Sequence, residues 1–418
     1  MREMKDSGIE WVGAIPQDWQ LSKIGSLYTQ RNEKVSDKDY QPLSVTMQGI
    51  LPQLATAAKT DDGDNRKLVR VGDFAINSRS DRRGSCGISP LDGSVSLINI
   101  ILTPRTAMHP GYYNWLFHTT LFADEFYKWG HGIVADLWTT RWQEMKSITV
   151  PVPEYAEQER IAAFLDAECA EIDTVLEKTR ASIEEYKKLK QAVITQTVTK
   201  GIRGDRPMKN SGIEWIGEIP AEWDVIRNAF LYKEKSRLPE ENAVSLSLSQ
   251  VDGLIATDDM KERSLKTSTY DGWKQVRTND LVLNRFKGHL GVLFAANIEG
   301  MVSFHYGVYE PLRQFDSKFF EYLYHSDAYK AILGLKSNGM TIGLQNLSNQ
   351  NFYSVYSLYP PEEEQQEIIQ YLDDKCSGID ALIVQKQEHF TEIENYKKSL
   401  IYEYVTGKKE VKTSVLAD

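Results

Sequence analysis

The segment Asn77-Ser78-Arg79-Ser80-Asp81-Arg82-Arg83-Gly84-Ser85 concentrates three arginines, small hydroxyl residues and glycine in one short stretch. Arginine contacts phosphates or takes a bidentate hold on a guanine edge, while serine and asparagine serve either backbone or base. Asn77, Arg79, Arg82, Arg83 and Ser85 are therefore candidate DNA contacts. A second stretch, Asn284-Arg285-Phe286-Lys287-Gly288-His289-Leu290-Gly291, has the same basic, glycine-rich character. It offers Asn284, Arg285 and Lys287. A solvated basic turn is the competing reading for either stretch alone, and their coincidence at equivalent places favours contact. Weaker candidates are Thr139, Thr140 and Arg141, and Thr341, Gln345 and Asn346, where a plain surface role is the better expectation.

Catalytic chemistry finds less support. Tyr359-Pro360-Pro361-Glu362 touches the Asp/Asn-Pro-Pro-Tyr/Phe pattern of amino-group DNA methyltransferases. It lacks both the carbonyl-bearing first residue that would hold an amino group and the aromatic last residue that would stack a flipped base. No phosphate-binding loop and no glycine-rich strand-to-helix turn is present. Asp258-Asp259-Met260-Lys261-Glu262 could imitate a nuclease metal site, yet such groupings are common on solvated faces. Cys86, Cys169 and Cys376 have no C-x-x-C spacing and no histidine cluster near them, which argues against a structural zinc site or a disulfide framework. The expectation is no catalytic residue, no metal and no cofactor in this chain.

Two long helical patterns must position the candidate loops. Glu157 to Gly201 repeats as Glu364 to Lys408 at a constant offset of about 207 residues. Ile161, Leu165, Ile172, Leu176, Ile183 and Leu189 recur at helical spacing in the first, and Ile368, Leu372, Ile379, Ile383, Phe390 and Leu400 in the second. Two such stripes are most economically buried against each other, as an antiparallel coiled coil of rods roughly 65–70 Å long. Cys169 and Cys376 would then lie at opposite ends, so no disulfide between them is expected. A second repeat precedes each globular segment, Gly8-Ile9-Glu10-Trp11-Val12-Gly13-Ala14-Ile15-Pro16 and Gly212-Ile213-Glu214-Trp215-Ile216-Gly217-Glu218-Ile219-Pro220. Gly8, Gly13 and Pro16 mark turns, and Trp11, Ile15 and Trp19 would pin this strap to a hydrophobic surface.

The chain thus divides into a strap and globular unit at 1–150, a long helix at 151–203, a second strap and unit at 204–357, a second long helix at 358–408 and a tail at 409–418. The fold class is α/β (α+β), an internal duplication with pseudo-twofold symmetry. Val71 to Asn77 reads as a turn and strand, Ser94 to Leu102 as one further strand, and Tyr112 to Trp129 as helix. With 418 residues, several domains are expected. The net charge of -10 is unevenly spread: the rods hold about 12 basic against about 21 acidic residues, the globular segments about 30 against about 28. Acid sits in the rods, leaving room for basic faces on the units. There is neither a run of some eighteen apolar residues nor a basic-then-apolar leader, so the cytoplasm is the expected location and no membrane is involved.

Taken together, the chain resembles the specificity subunit of type I restriction-modification systems over essentially its whole length. The paired straps carry this resemblance, with the Pro-x-x-Glu-Gln lead-ins at Pro153 to Gln158 and Pro361 to Gln365, Phe164-Leu165-Asp166 and Tyr371-Leu372-Asp373, the Ile-Asp pairs, and Val405-Thr406-Gly407-Lys408. The first rod departs at its end, with Val198-Thr199-Lys200-Gly201. The resemblance implies a non-catalytic reader of double-stranded DNA. Two target recognition domains would each read half of a bipartite, asymmetric site, with the paired helices setting the unread spacer. Two methyltransferase subunits would dock on the rods and restriction-motor subunits would join them. S-adenosylmethionine, ATP and Mg would be used by those partners. A protein-binding scaffold without DNA contact, and a cryptic nuclease, are the rival readings.

Overall fold

A computed structural model of the chain describes residues 2–53, 63–132, 138–250, 252–260, 270–337 and 345–412. Two compact units emerge, one made of residues 1–180 with 388–418 and the other of residues 181–387. Each unit takes the adjoining half of both long helices, so the compact boundaries fall inside the rods and not at the prolines before them.

In the first unit the strap is a hairpin, Met4–Asp6 against Ala14–Pro16. Gly8 and Gly13 have φ of +67° and +69°, a left-handed backbone that a Cβ would strain. Trp11, Ile15 and Trp19 are buried, as their spacing predicts. The strand Gln20–Lys23 pairs with Thr149–Val152, closing the unit just before the long helix. The main antiparallel sheet has the order Cys86–Ile88, Phe74–Asn77, Asn99–Pro104, Tyr28–Arg31. Phe74, Tyr28 and Phe117 meet in its core, Phe74 and Phe117 at 4.6 Å between ring centres.

Two sequence expectations divide on closer view. The helical spacing from Tyr112 to Trp129 becomes two helices, Pro110–Phe117 and Thr120–Lys128. Thr119 breaks it by capping the second, its hydroxyl accepting the Phe122 N–H at 3.2 Å. The strand expected over Ser94 to Leu102 is also two. Gly93–Val95 pairs with Arg66–Val69, and Asn99–Pro104 joins the main sheet. The turn between them is closed by Asn99 N–H donating to the Ser96 carbonyl at 3.1 Å.

The second unit repeats the strap hairpin, the closing strand pair and the four-stranded main sheet, without, among the described residues, a named partner strand equivalent to Lys34–Val35. Met208–Asn210 pairs with Glu218–Pro220, and Asp224–Arg227 with Tyr356–Tyr359. Its main sheet has the order Tyr232–Glu234, Tyr306–Pro311, Leu281–Asn284, Leu293–Ala295. Every named strand pair in both units is antiparallel, which places the fold in the α+β class.

The rods are single helices, Tyr155–Lys200 and Glu362–Val405, followed by left-handed Gly201 and Gly407. In the first unit Asp173 meets Lys397 at 2.6 Å and Arg180 lies 5.3 Å over the Phe390 ring. In the second, Lys386 lies 5.6 Å over Tyr186, Lys190 meets Asp380 at 2.6 Å and Arg203 meets Glu367 at 2.8 Å. Rising numbers on one helix meet falling numbers on the other, so within each unit the helices run antiparallel. Ile161, Leu165, Ile183, Ile368, Leu372 and Leu400 are buried, and Ile172, Leu176, Ile379, Ile383 and Phe390 are half-buried. Leu189 is the exception among the expected pairing residues, 48% exposed. Its neighbour Lys190 occupies the seam instead to reach Asp380, and one residue along a helix is a turn of about 100°.

A repeated clasp fixes each strap to the start of a rod. Trp19 Nε1 donates to Glu157 Oε2 at 2.8 Å, and Arg2 pairs with both Glu157 and Asp18 while stacking over Trp19. Trp223 Nε1 donates to Glu364 Oε2 at 2.8 Å, and Arg206 pairs with Glu364 and Glu222 over the Trp223 ring. In the first unit the strap also receives the end of the second rod, where Lys408 Nζ donates to the Val12 carbonyl at 2.6 Å. All three cysteines are free and buried.

Candidate nucleic-acid interface

The first candidate loop grows directly out of the central strand Phe74–Asn77. Asn77 is buried, and its side-chain oxygen accepts the Arg79 N–H at 3.0 Å. Its own N–H donates to the Ser85 carbonyl at 2.8 Å, and its carbonyl accepts the Tyr127 hydroxyl at 2.9 Å. Ser85 is buried as well. These two residues hold the loop from beneath, while a 3-10 turn at Ser80–Arg82 presents the arginines. The side chains of Arg79, Arg82 and Arg83 are 38%, 69% and 52% exposed. Asp81 lies 3.4 Å from Arg79 Nε and 3.9 Å from Arg82 Nε, and Arg83 pairs with Asp124. Such exposed pairs are weak, so a phosphate can replace the carboxylates.

The segment before the first rod joins this loop. Ser80 N–H donates to the Trp138 carbonyl at 2.9 Å, Thr140 N–H to the Ser78 carbonyl at 2.9 Å, and Arg79 bridges to Thr139. Thr139 in turn exchanges backbone bonds with His131. Thr140 is buried, its hydroxyl donating to the Phe126 carbonyl at 2.9 Å, whereas Arg141 is exposed at the start of the helix Trp142–Met145. The structure therefore gathers Arg79, Arg82, Arg83 and Thr139 on one face and adds the exposed His131 and Trp138. Sequence reasoning missed those two. The available signal was an aromatic residue interleaved beside Thr139-Thr140-Arg141.

In the second unit Asn284 repeats the device, its side-chain oxygen accepting the N–H groups of Phe286 and Lys287 at 3.1 and 3.3 Å. Here the basic residues diverge. Arg285 turns inward, donating to Asn349 Oδ1 at 2.9 Å and pairing with Glu234, which also receives Lys274 Nζ at 2.9 Å. Burial alone would raise the Glu234 carboxyl, but the Lys274 hydrogen bond and the Arg285 charge hold it below its ordinary value. Arg285 is thus built into a half-buried network, and Lys287 is the exposed cation of the turn. Leu347 N–H donates to the Arg285 carbonyl at 3.0 Å, bringing half-buried Gln345 and exposed Asn346 to the same loop. Thr341 lies outside the described residues.

The scan of family models gives no match to the sequence. The type I restriction enzyme MjaVIII specificity subunit of Methanocaldococcus jannaschii is 23% identical over 429 residues, covering 95% of this chain and 94% of that protein. From the same organism, the putative type I restriction enzyme MjaX specificity subunit is 24% identical over 278 residues, 65% of this chain and 61% of its own length. The fold matches a chain from a solved structure described as complex assembly and conformational transition of the type I R-M system, with a TM-score of 0.70 at 13% identity. That match covers 94% of this chain and 99% of the other. In sequence and in fold, the chain is thus similar to type I specificity subunits. The HsdS subunit from Thermoanaerobacter tengcongensis superposes with a TM-score of 0.51 at 16% identity, over 94% and 98% of the two chains.

Among the described residues of this chain, no group of three or more His, Cys, Asp or Glu side chains is placed to hold a metal ion. No described helix is long and apolar enough to cross a membrane.

Proposed function

We propose that this chain is a type I specificity subunit that reads a bipartite, asymmetric sequence in double-stranded DNA, one half-site per globular unit, and carries two methyltransferase subunits and restriction-motor subunits to it in the cytoplasm. One observation carries the reading. The two units share a main sheet of the same order, and the same asparagine-anchored turn follows the same central strand in each, yet the side chains it presents differ. A common frame with divergent loop chemistry is what two readers of two different half-sites require. The long helices, paired within the first unit through Asp173–Lys397 and within the second through Lys190–Asp380, would set the unread spacer.

On this reading Arg79, Arg82, Arg83, Arg141 and Lys287 meet phosphates or base edges, and Asn77, Ser85, Asn284 and Arg285 shape the loops that carry them. Gln345 and Asn346 extend the second surface. The chain holds no cofactor; S-adenosylmethionine, ATP and Mg are used by the partners, which perform adenine methylation, translocation and cleavage. Because acid is concentrated on the rods, phosphate affinity is shared across the complex. Fluorescence anisotropy on a duplex containing the site tests this. The chain alone is expected to bind weakly. With the methyltransferase, binding becomes sequence-specific and falls by about a thousandfold or more between 50 and 200 mM salt if six or more phosphates are contacted. Equal specific affinity with and without the methyltransferase contradicts the proposal.

A further inference from the structure

Beside the turn of the second unit lies a strip of aromatic side chains that the first unit does not repeat at the equivalent positions, which hold Arg79, Leu97 and Ile98. Phe286 is 44% exposed on the turn itself, and its ring centre is 5.5 Å from His305. His305 lies 3.9 Å from Phe304, which is 54% exposed. The backbone of Gly272 approaches Phe304 so closely that an added Cβ would sit 3.6 Å from the Phe304 Cβ. Next to that glycine, Tyr270, 56% exposed, packs edge-on to Trp273 at 5.1 Å. Exposed Lys287 stands directly after Phe286. Solvated apolar rings gathered this way mark a contact surface.

The register identifies what the strip faces. At the offset of about 207 residues that relates the two halves, Phe286 stands where the first unit has Arg79, and Phe304-His305 stand where it has Leu97-Ile98. Asn77 and Asn284 hold these positions with the same side-chain-to-backbone bond, to Arg79 N–H in one and to Phe286 N–H in the other. The place occupied by a guanidinium in one reader is occupied by a phenyl ring in the other. Within the major groove the apolar feature a ring can recognise is the C5-methyl group of thymine.

Resting on the DNA-reading function above, we propose that the second unit recognises part of its half-site through apolar contact of Phe286, His305 and Phe304 with thymine methyl groups, where the first unit places the Arg79 guanidinium at the position of Phe286. Lys287 fixes the adjoining phosphate backbone, and the rings discriminate an A·T pair from the others by the methyl they cover.

The test uses the assembled complex of this chain with its methyltransferase on a duplex carrying the mapped site, with each thymine of both half-sites replaced in turn by deoxyuridine. With the native chain, one or more positions, all in one half-site, should lose about three- to tenfold in methylation rate, the scale of one buried methyl. With Phe286→Ala/Phe304→Ala that sensitivity to uracil should vanish while the other half-site is read as before. Specific methylation indifferent to uracil at every position overturns aromatic readout and leaves the DNA-reading function standing. Uracil sensitivity unchanged in the double variant also overturns it. Absence of any sequence-specific binding or methylation by the complex overturns the DNA-reading function itself.

Discussion

Replacing Glu364 with alanine should detach the second strap from the second rod. The carboxylate is fully buried; it accepts the Trp223 indole N–H at 2.8 Å and lies 2.6 Å from Arg206 Nη1. That second contact is poorly aligned for a hydrogen bond, so it acts as a charge pair. Removing one partner of a buried pair costs about 3–5 kcal/mol because the other charge is stranded. Arg206 retains Glu222 at 3.0 Å and the Lys200 carbonyl at 2.8 Å, which places the cost near the low end, about 3 kcal/mol. For a unit of this size that lowers the melting temperature by about 6–12 °C. Trp223→Phe removes the hydrogen bond to the carboxylate, about 1.5–3 kcal/mol, and adds the cost of the space left where the buried indole is larger than phenyl. Scanning calorimetry reads the melting shift, and amide exchange reads the strap at 208–223. A shift below 2 °C in Glu364→Ala, with strap protection intact, would refute the clasp.

Alanine at Arg79, Arg82 and Arg83 together should abolish site-specific methylation by the assembled complex while gel filtration shows assembly intact; unchanged methylation removes the first loop from the interface, and lost assembly favours a scaffold. Lengthening both rods by one or two helical turns adds about 5–11 Å, the rise of roughly two to three base pairs, and should lengthen the methylated site's spacer while sparing its half-sites. An unchanged spacer would reduce the rods to a clasp. Burial pushes His325 down to about 4 and lowers His118, its equivalent in the first unit. An unfolded chain therefore binds protons that these imidazoles refuse, and their contribution, complete above about pH 6.5, is lost as pH falls toward 4. For His325 the loss is about 1.4 kcal/mol per pH unit, partly offset at lower pH by Glu321, whose carboxyl burial raises. His325→Gln should flatten melting temperature against pH between 6.5 and 5; an identical slope shows that the ring is not kept neutral.

The parts legible in the sequence are those with a period or a copy. Apolar spacing and the constant offset located both rods, and paired tryptophans located both straps, because local geometry alone decides them. Leu189 was misplaced because apolar character was followed where the seam takes Lys190, whose ammonium finds a carboxylate across the helices. Thr119 was passed over within a helical pattern although its hydroxyl ends that pattern. At the candidate interface the basic loops were visible, but the division of labour inside them was not. Asn77 and Ser85 are polar residues that the backbone consumes, and Arg285 is a cation that Glu234 consumes. His131 and Trp138 join the first loop only through bridges across about sixty residues of chain, and no local pattern announces such a meeting.

The central claim is that two readers on one chain define one divided site. Mapping methylated adenines across a genome that carries this chain with its methyltransferase tests it most directly. The expected result is a single asymmetric motif in two parts, separated by a gap of fixed length. A continuous motif, or methylation whose sequence is unaffected by deleting this chain, would contradict the account.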